Sequence, residues 1–472
     1  MSIEFWMLLG EYHHENPRPN TPQRAEPAMH LVTRRCLLTR WWLGMLLLAS
    51  GVGCDKNRNS VTIKEANIGA TQPQGSVNES RANKSKFVSE TVESRVAPIA
   101  SAEQLLEMRL PIEKTREGWI RLFDGRTLIG WQATDNVDWQ VTRTAVEATK
   151  GEVALLGTTS KWSDYELTLE FNIDADTNSG IFLRTPLFGT DPKTNCYEFN
   201  FAPADNPFPT GSIVGRQRIE PSEVGELAPG EWHKLRLTIE SGHITASIND
   251  KQILDWTDPN EPLPPNLIGL QHNSGRAAFR DIRLRPLGLK PMLDGADLPG
   301  WKRYPELGGK FEVEDDILHI TGGSGQLESI ESWSDFNLLA EVKINAPKLN
   351  GGLFFRCVPG ETMNGYECQI SNETIEGNAL MPADCGTGGI FRRLNARIVA
   401  ADDEQWNTVF MHVLGPQIST WVNGLQVVDW IDTRKPDPNP RKGLRIEAGT
   451  IILQAHDMTT DYSFKQISIA PL

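Results

Sequence analysis

The stretch KWSDYELTLEFNI at residues 161–173 decides the fold. Tyr165, Leu167, Leu169, Phe171 and Ile173 alternate with Glu166, Thr168, Glu170 and Asn172. A period of two places the apolar side chains on one face, as in a strand that covers a core and turns its other face to water. SWSDFNLLAEVKI at 332–344 repeats the pattern, with Phe336, Leu338, Ala340, Val342 and Ile344 on the apolar side. The strand therefore belongs to a duplicated unit.

Working outward, LFDGRTLIGWQ (122–132) returns as MLDGADLPGWK (292–302), and NSGIFLR (178–184) as NGGLFFR (350–356). CYEFNFA (196–202) returns as GYECQIS (365–371), and TGSIVGR (210–216) as TGGIFRR (387–393). The unchanged order of blocks marks tandem domains. Asn249-Asp250 and Asn423-Gly424 each sit between two alternating segments, which is a hairpin signal. Short strands with frequent turn residues, no strand–helix alternation and no phosphate-binding glycine loop predict an all-β chain. The expected architecture is two tandem β-sandwiches of jelly-roll type, over residues 113–288 and 289–472. Trp131/Trp301, Trp162/Trp333, Trp232/Trp406 and Trp256/Trp430 coincide between copies, which favours packing over sugar platforms.

Ahead of the sandwiches, residues 1–54 read as an upstream extension followed by a signal segment from Met29. Arginines at 34, 35 and 40 precede an uncharged run from Trp41 to Gly53, too short for a spanning helix of about 20 residues but suited to a secretory signal. Small residues before Cys54 make it the expected lipid attachment site, with ordinary cleavage or an uncleaved anchor as the alternatives. Residues 55–112, rich in Ser, Asn, Lys and Glu with Phe87 the one aromatic, read as a disordered tether with a short helix around Ser101 to Arg109. Export to the periplasm, or anchoring to a membrane as a lipoprotein, is the expected location. A net charge of −14 argues against nucleic acid as a partner.

The same alternation locates the chemistry. Asn178, Gly180, Phe182 and Arg184 share a face, as do Asn350, Gly352, Phe354 and Arg356. On the following strand Glu198 and Asn200, and in the second copy Glu367 and Gln369, project to that side. If these strands pair, carboxylate, amide, arginine and a phenyl ring converge on a solvent-facing concave surface, a set that suits a sugar. The competing reading is a cross-strand Arg–Glu pair that merely solvates a sheet. His456 and His272, near the last strands, are either surface residues or proton carriers beside a carboxylate. Cys357 and Cys368 fall on the apolar side of consecutive strands and form either a disulfide or two buried thiols. No CxxC occurs, the sequence requires no cofactor, and a divalent metal stays open.

The succession LFDG…GW, NSGIF-x-R, YE-x-(N/Q), TG-x-I and EW, with a late GLQ, resembles the 3-keto-disaccharide hydrolase family in both units. The resemblance implies a concanavalin A/glucanase-like jelly roll and cleavage of glycosides already oxidised to the ketone at C3. By that resemblance the motif glutamate corresponds to Glu198 and Glu367, the glutamine to Gln369, the arginine to Arg184 and Arg356, and the late histidine to His456. The first unit departs from the pattern at Asn200 and in the displaced His272, and the second reads NGG for NSG. The second unit is thus expected to carry the chemistry, and the first to bind sugar.

The implied mechanism is elimination and hydration. A C3 ketone acidifies the C2 proton, a base removes it, the enolate expels the anomeric substituent, and water adds back. One carboxylate suffices, and the paired carboxylates of ordinary glycoside hydrolysis are absent from the motif strands. Glu367 is the expected base, with Arg356 and His456 stabilising charge and Gln369, Asn350 and Phe354 contacting the sugar; Glu198, Arg184, Asn178, Phe182, Asn200 and His272 are their counterparts. The alternative is a membrane-anchored carbohydrate-binding module without catalysis.

Overall fold

The computed structural model describes residues 100–134, 136–293 and 297–472. Residues 1–99, on which the expected signal segment, Cys54 and most of the expected tether fall, and residues 294–296 lie outside the described residues. Residues 100–116 are folded. Ser101 caps the helix Ala102–Leu106 through a reciprocal box with Gln104. Leu105 is buried in the core of the second sandwich, the Leu110 amide donates to Asn423 O at 2.9 Å, and Arg109 pairs with Asp402 at 2.6 Å. The segment read as the end of a tether is a strap on the second sandwich, because Leu105 and Leu110 supply apolar area that the preceding polar run lacks.

Each copy forms two antiparallel sheets, one of eight strands and one of five. The five-stranded sheet of the first sandwich runs Trp131–Ala133, Ala154–Thr158, Leu267–Ser274, Asn178–Thr185, Tyr197–Phe201 across the sheet. In the second the order is Trp301–Arg303, Gly325–Trp333, Gly449–Ala455, Gly351–Cys357, Tyr366–Ile370. Apolar faces meet as the alternation requires: Leu167, Leu169 and Phe171 share one core with Ile181, Leu183, Phe199, Ile268 and Leu270. The chain is all-β in its body, two tandem jelly-roll sandwiches. Both hairpins form, with Asn249, Asp250, Asn423 and Gly424 at positive φ, the geometry of tight hairpin turns.

Paired tryptophans do paired structural jobs. Trp131 Nε1 donates to Leu122 O and Trp301 Nε1 to Met292 O; Trp256 meets the Tyr197 ring edge-on as Trp430 meets Tyr366. Trp162 differs. It packs against His412 and Trp421 of the second sandwich, at ring separations of 4.4 and 5.9 Å. Trp421 Nε1 donates to Arg121 O at 2.8 Å, and Arg397 pairs with Asp124 at 2.9 Å. Leu339, Phe410 and Trp421, on the outer face of the second large sheet, thereby join the core of the first copy. The two sandwiches are welded through apolar contact.

Candidate active site

Glu198 and Glu367 sit on the edge strands Tyr197–Phe201 and Tyr366–Ile370, whose alternate residues Tyr197, Phe199, Tyr366 and Cys368 enter the cores. Both glutamates therefore face outward from the five-stranded sheets. Glu198 lies opposite Phe182 and Glu367 opposite Phe354. Each carboxylate leans diagonally over the motif glycine: a Cβ on Gly352 would stand 2.8 Å from Glu367 Oε1, and one on Gly180 3.3 Å from Glu198 Oε1. Glycine is needed because a side chain would fill the space the carboxylate occupies.

Burial pushes both carboxyls up to about 7. Around Glu198 the opposing influence is the Gln271 amide alone. Around Glu367 the charges of Arg441, His456 and Arg392 pull the value down while Asp384 pushes it up. Glu367 lines a cavity of about 190 Å³ with Phe391, Arg392, Arg393, Pro440 and Arg441. The larger apolar hollow of the first sandwich, about 240 Å³, is lined by Ala202, Pro209, Val224 and Leu227, and Glu198 does not reach it.

Gln369 donates through Nε2 to Asn350 Oδ1 at 2.7 Å and to Asp384 Oδ2 at 3.4 Å, and Asn350 Nδ2 donates to Asp384 Oδ2 at 3.3 Å. The loop 384–391 is laid along the glutamate strand by Gln369 N to Gly389 O and Phe391 N to Glu367 O, which brings Asp384 and Arg392 to the site. His456 follows the strand Gly449–Ala455, on the same side as Gln454, with Nδ1 2.9 Å from Asp457 Oδ2. Asp457 holds its carboxyl at about 2 through its bonds to Thr459 and His456.

Alternation alone puts Arg184 and Arg356 beside the glutamates, and the structure turns both away. Each sits at positive φ, +50° and +48°, in a bulge that shifts the register with the neighbouring strand. Arg356 is fully buried: it donates to Ser334 O at 2.6 Å, to Gly415 O at 2.7 Å and to Arg445 O at 3.0 Å, and pairs with Asp335 at 2.9 Å. Arg184 repeats this with Ser163 O, Leu263 O and Asp164. Each guanidinium ties the two sheets of its sandwich together, and its donors are committed there.

The bulge also separates the cysteines. Cys357 lands on the outer face with Phe354 and Ile452, Cys368 lies in the core, and all four described cysteines are free thiols. Phe182 and Phe354 are on the expected face but 2% and 1% exposed, beneath Leu155 and Cys196 in one copy and Met363 in the other, so neither offers a stacking surface. His272 alternates with Gln271 and so lies on the core side of its strand, its Nδ1 3.2 Å from Glu152 O, away from Glu198. Strand register makes Asn273 the counterpart of His456, because Gly269 faces Phe182 as Ile452 faces Phe354. Asn178 is half-buried at the start of its strand.

Sequence reading missed the roof of the second site. Glu328, buried on the outer face, accepts from Gly360 N at 3.0 Å, Thr450 Oγ1 at 2.7 Å and the Tyr304 hydroxyl. Gln326 accepts from Met363 N at 2.9 Å, and Arg441 donates to Met363 O at 2.5 Å. These bonds fix the loop 358–364 over Phe354 and hold Arg441 near Glu367. Among the described residues no group of three or more His, Cys, Asp and Glu side chains is arranged to hold a metal ion.

The profile of a family described as the 3-keto-alpha-glucoside-1,2-lyase-like domain matches twice, over residues 118–285 and 288–470. A 3-keto-disaccharide hydrolase of Bacteroides thetaiotaomicron is 23% identical over 245 residues, covering 39% of this chain and 83% of the relative. Among solved structures, a candidate glycosyl hydrolase of Parabacteroides distasonis aligns with 38% of this chain and 99% of its own length, at 17% identity and a TM-score of 0.33. A β-glucanase of Bacillus licheniformis covers 36% of this chain and 97% of its own, at 11% identity and a TM-score of 0.26.

Proposed function

Because the chain belongs to the 3-keto-alpha-glucoside-1,2-lyase-like family, we propose that its second sandwich is an enzyme that cleaves 3-keto glycosides or disaccharides. The observation that carries this reading is Glu367: a carboxyl raised to about 7 by burial, leaning over Gly352, beside a cavity lined by Arg441 and Arg392. A base of that strength suits a proton made acidic by a neighbouring ketone.

In this reading the C2–H bond breaks, its proton passes to Glu367, and the electron pair delocalises into the C3 carbonyl. The enolate then collapses to a C1=C2 double bond as the anomeric oxygen leaves. His456, hydrogen-bonded to Asp457, supplies the leaving oxygen with its proton. Water adds at C1 and a proton returns to C2, giving net hydrolysis. Arg441 and Arg392, rather than the committed Arg356, stabilise the enolate oxygen, and Gln369 with Asn350 orients hydroxyls. The test is release of monosaccharide from a 3-keto disaccharide and from its unoxidised parent. Release from the keto sugar alone, lost in Glu367→Gln and kept in Glu198→Gln, is the expected result; equal release by Glu367→Gln removes that residue from the mechanism.

The order of basic, uncharged and small residues before Cys54 supports export with a lipid anchor at that cysteine, facing the periplasm or held at a membrane. Fatty-acid labelling that survives Cys54→Ala would count against the anchor.

A further inference from the structure

On the outer face of the first small sheet, Gly180 is flanked by Asn200 on one neighbouring strand and Gln271 on the other. The Glu198 carboxylate fills the space above the glycine. Asn200 commits its amide nitrogen to Phe208 O, which fixes Oδ1 as the free end, and Oδ1 has no hydrogen-bond partner among the described residues. Gln271 contacts the Glu198 carboxyl, and its Oε1 is likewise unpartnered. The two residues are 3% and 6% exposed. A buried acceptor without a donor loses the hydrogen bonds that water gives it in the unfolded chain, so two of them around one glycine need an explanation.

The second sandwich repeats the arrangement with different residues. Gln369 lies opposite Gly352, and the register of Leu353 with Leu453 brings Gln454 to its other side. Gln369 Nε2 is bound to Asn350 and Asp384, while the Oε1 atoms of Gln369 and Gln454 are again buried and unpartnered. Four amide oxygens, two per copy and at matched positions, accept from no protein donor among the described residues.

We infer that the first sandwich holds a second sugar site, one that binds without turnover, in which Asn200, Gln271 and Glu198 accept hydrogen bonds from the hydroxyls of a neutral sugar. The substrate class rests on the reading of the second sandwich; the site itself rests on the unpartnered acceptors. Acceptors without a cation select hydroxyl donors over anions, and among the described residues no cation acts on Glu198 as Arg441 and Arg392 act on Glu367. Asn273 at the His456 position leaves no proton carrier there.

The test uses the full chain and five unoxidised sugars: trehalose, maltose, sucrose, cellobiose and methyl α-glucoside. Calorimetry on wild type, Gln271→Met and Gln454→Met is paired with hydrogen exchange on the peptides containing 197–201 and 366–370. At least one sugar is expected to bind and to protect the 197–201 peptide. Gln271→Met, close in volume, is expected to weaken that binding about tenfold with turnover of a 3-keto disaccharide unchanged. Equal affinity in folded Gln271→Met, protection confined to 366–370, or no binding of any of the five sugars by wild type would overturn the inference. Should Gln271→Met not fold, the exchange pattern of wild type decides. Loss of turnover alone, with both peptides protected, would sink the enzyme reading and leave this site standing.

Discussion

The two sandwiches place a glutamate at the same point of the same strand, bury it to the same degree of basicity, and surround it differently. Glu198 has an amide for company; Glu367 has Arg441, Arg392, His456 and Asp384. The difference lies in loops and in one strand-end residue, with the sheets kept almost unchanged. Duplication thus preserves the part of the site that the sheet builds and lets the charged part diverge. A raised carboxylate is a property of the fold here, and its neighbours decide what it can do.

The largest expected effect that sharpens this comparison is on turnover. Glu367→Gln should lower the rate on a 3-keto disaccharide by at least about a thousandfold, while Glu198→Gln should leave it within about twofold, as read from initial rates. Next come the arginines, where the two copies should behave alike. Arg184→Ala and Arg356→Ala each strand an aspartate and several carbonyls, and each should cost about 3 kcal/mol in denaturant unfolding. Turnover loss in a stable Arg356→Ala would return that residue to the site.

Removal of Arg441, the cation held over Glu367 by the Met363 carbonyl, should lower kcat by about a hundredfold in Arg441→Ala with folding intact. A smaller effect concerns stability against pH. Both glutamates hold their protons more tightly folded than unfolded, so each contributes stability that is present below about 4.5 and lost as pH rises through about 7. Glu198→Gln should therefore gain on wild type by about 1–3 kcal/mol between pH 5 and pH 8, and a constant difference across that range would contradict the burial argument. His456→Asn, which makes the second site resemble the first, should slow turnover by about tenfold, most for substrates with poor leaving groups.

Much of this was legible in the residues. Alternation in YELTLEFNI and FNLLAEVKI, with the repeated block order, was enough for two sandwiches, and it put Glu198 and Glu367 on the outer face. What alternation could not carry was the bulge before Cys357 and its counterpart at Arg184. A single extra residue there sends both arginines between the sheets and parts Cys357 from Cys368. Gln271 and Gln454 were hidden for another reason: they reach the motif glycines only through pairing with a strand about 90 to 100 residues away in sequence, set by long-range sheet order. Asp384 and Arg441 come from loops with no periodicity to read. At 100–110 the residues disclosed a short helix but not its docking: the polar composition of the run before it read as a tether, while the burial of Leu105 and Leu110 depends on a partner sandwich hundreds of residues away in sequence, so a fragment meant to fold should include residues from Ala100 onward.

The most direct measurement of the central claim is the fate of the C2 hydrogen when a 3-keto disaccharide is turned over in deuterium oxide. Elimination and hydration at Glu367 predict deuterium at C2 of the released keto sugar, above the level of slow exchange without enzyme. Release at the full enzymatic rate with C2 hydrogen retained would mean direct displacement at the anomeric carbon, and would contradict the account.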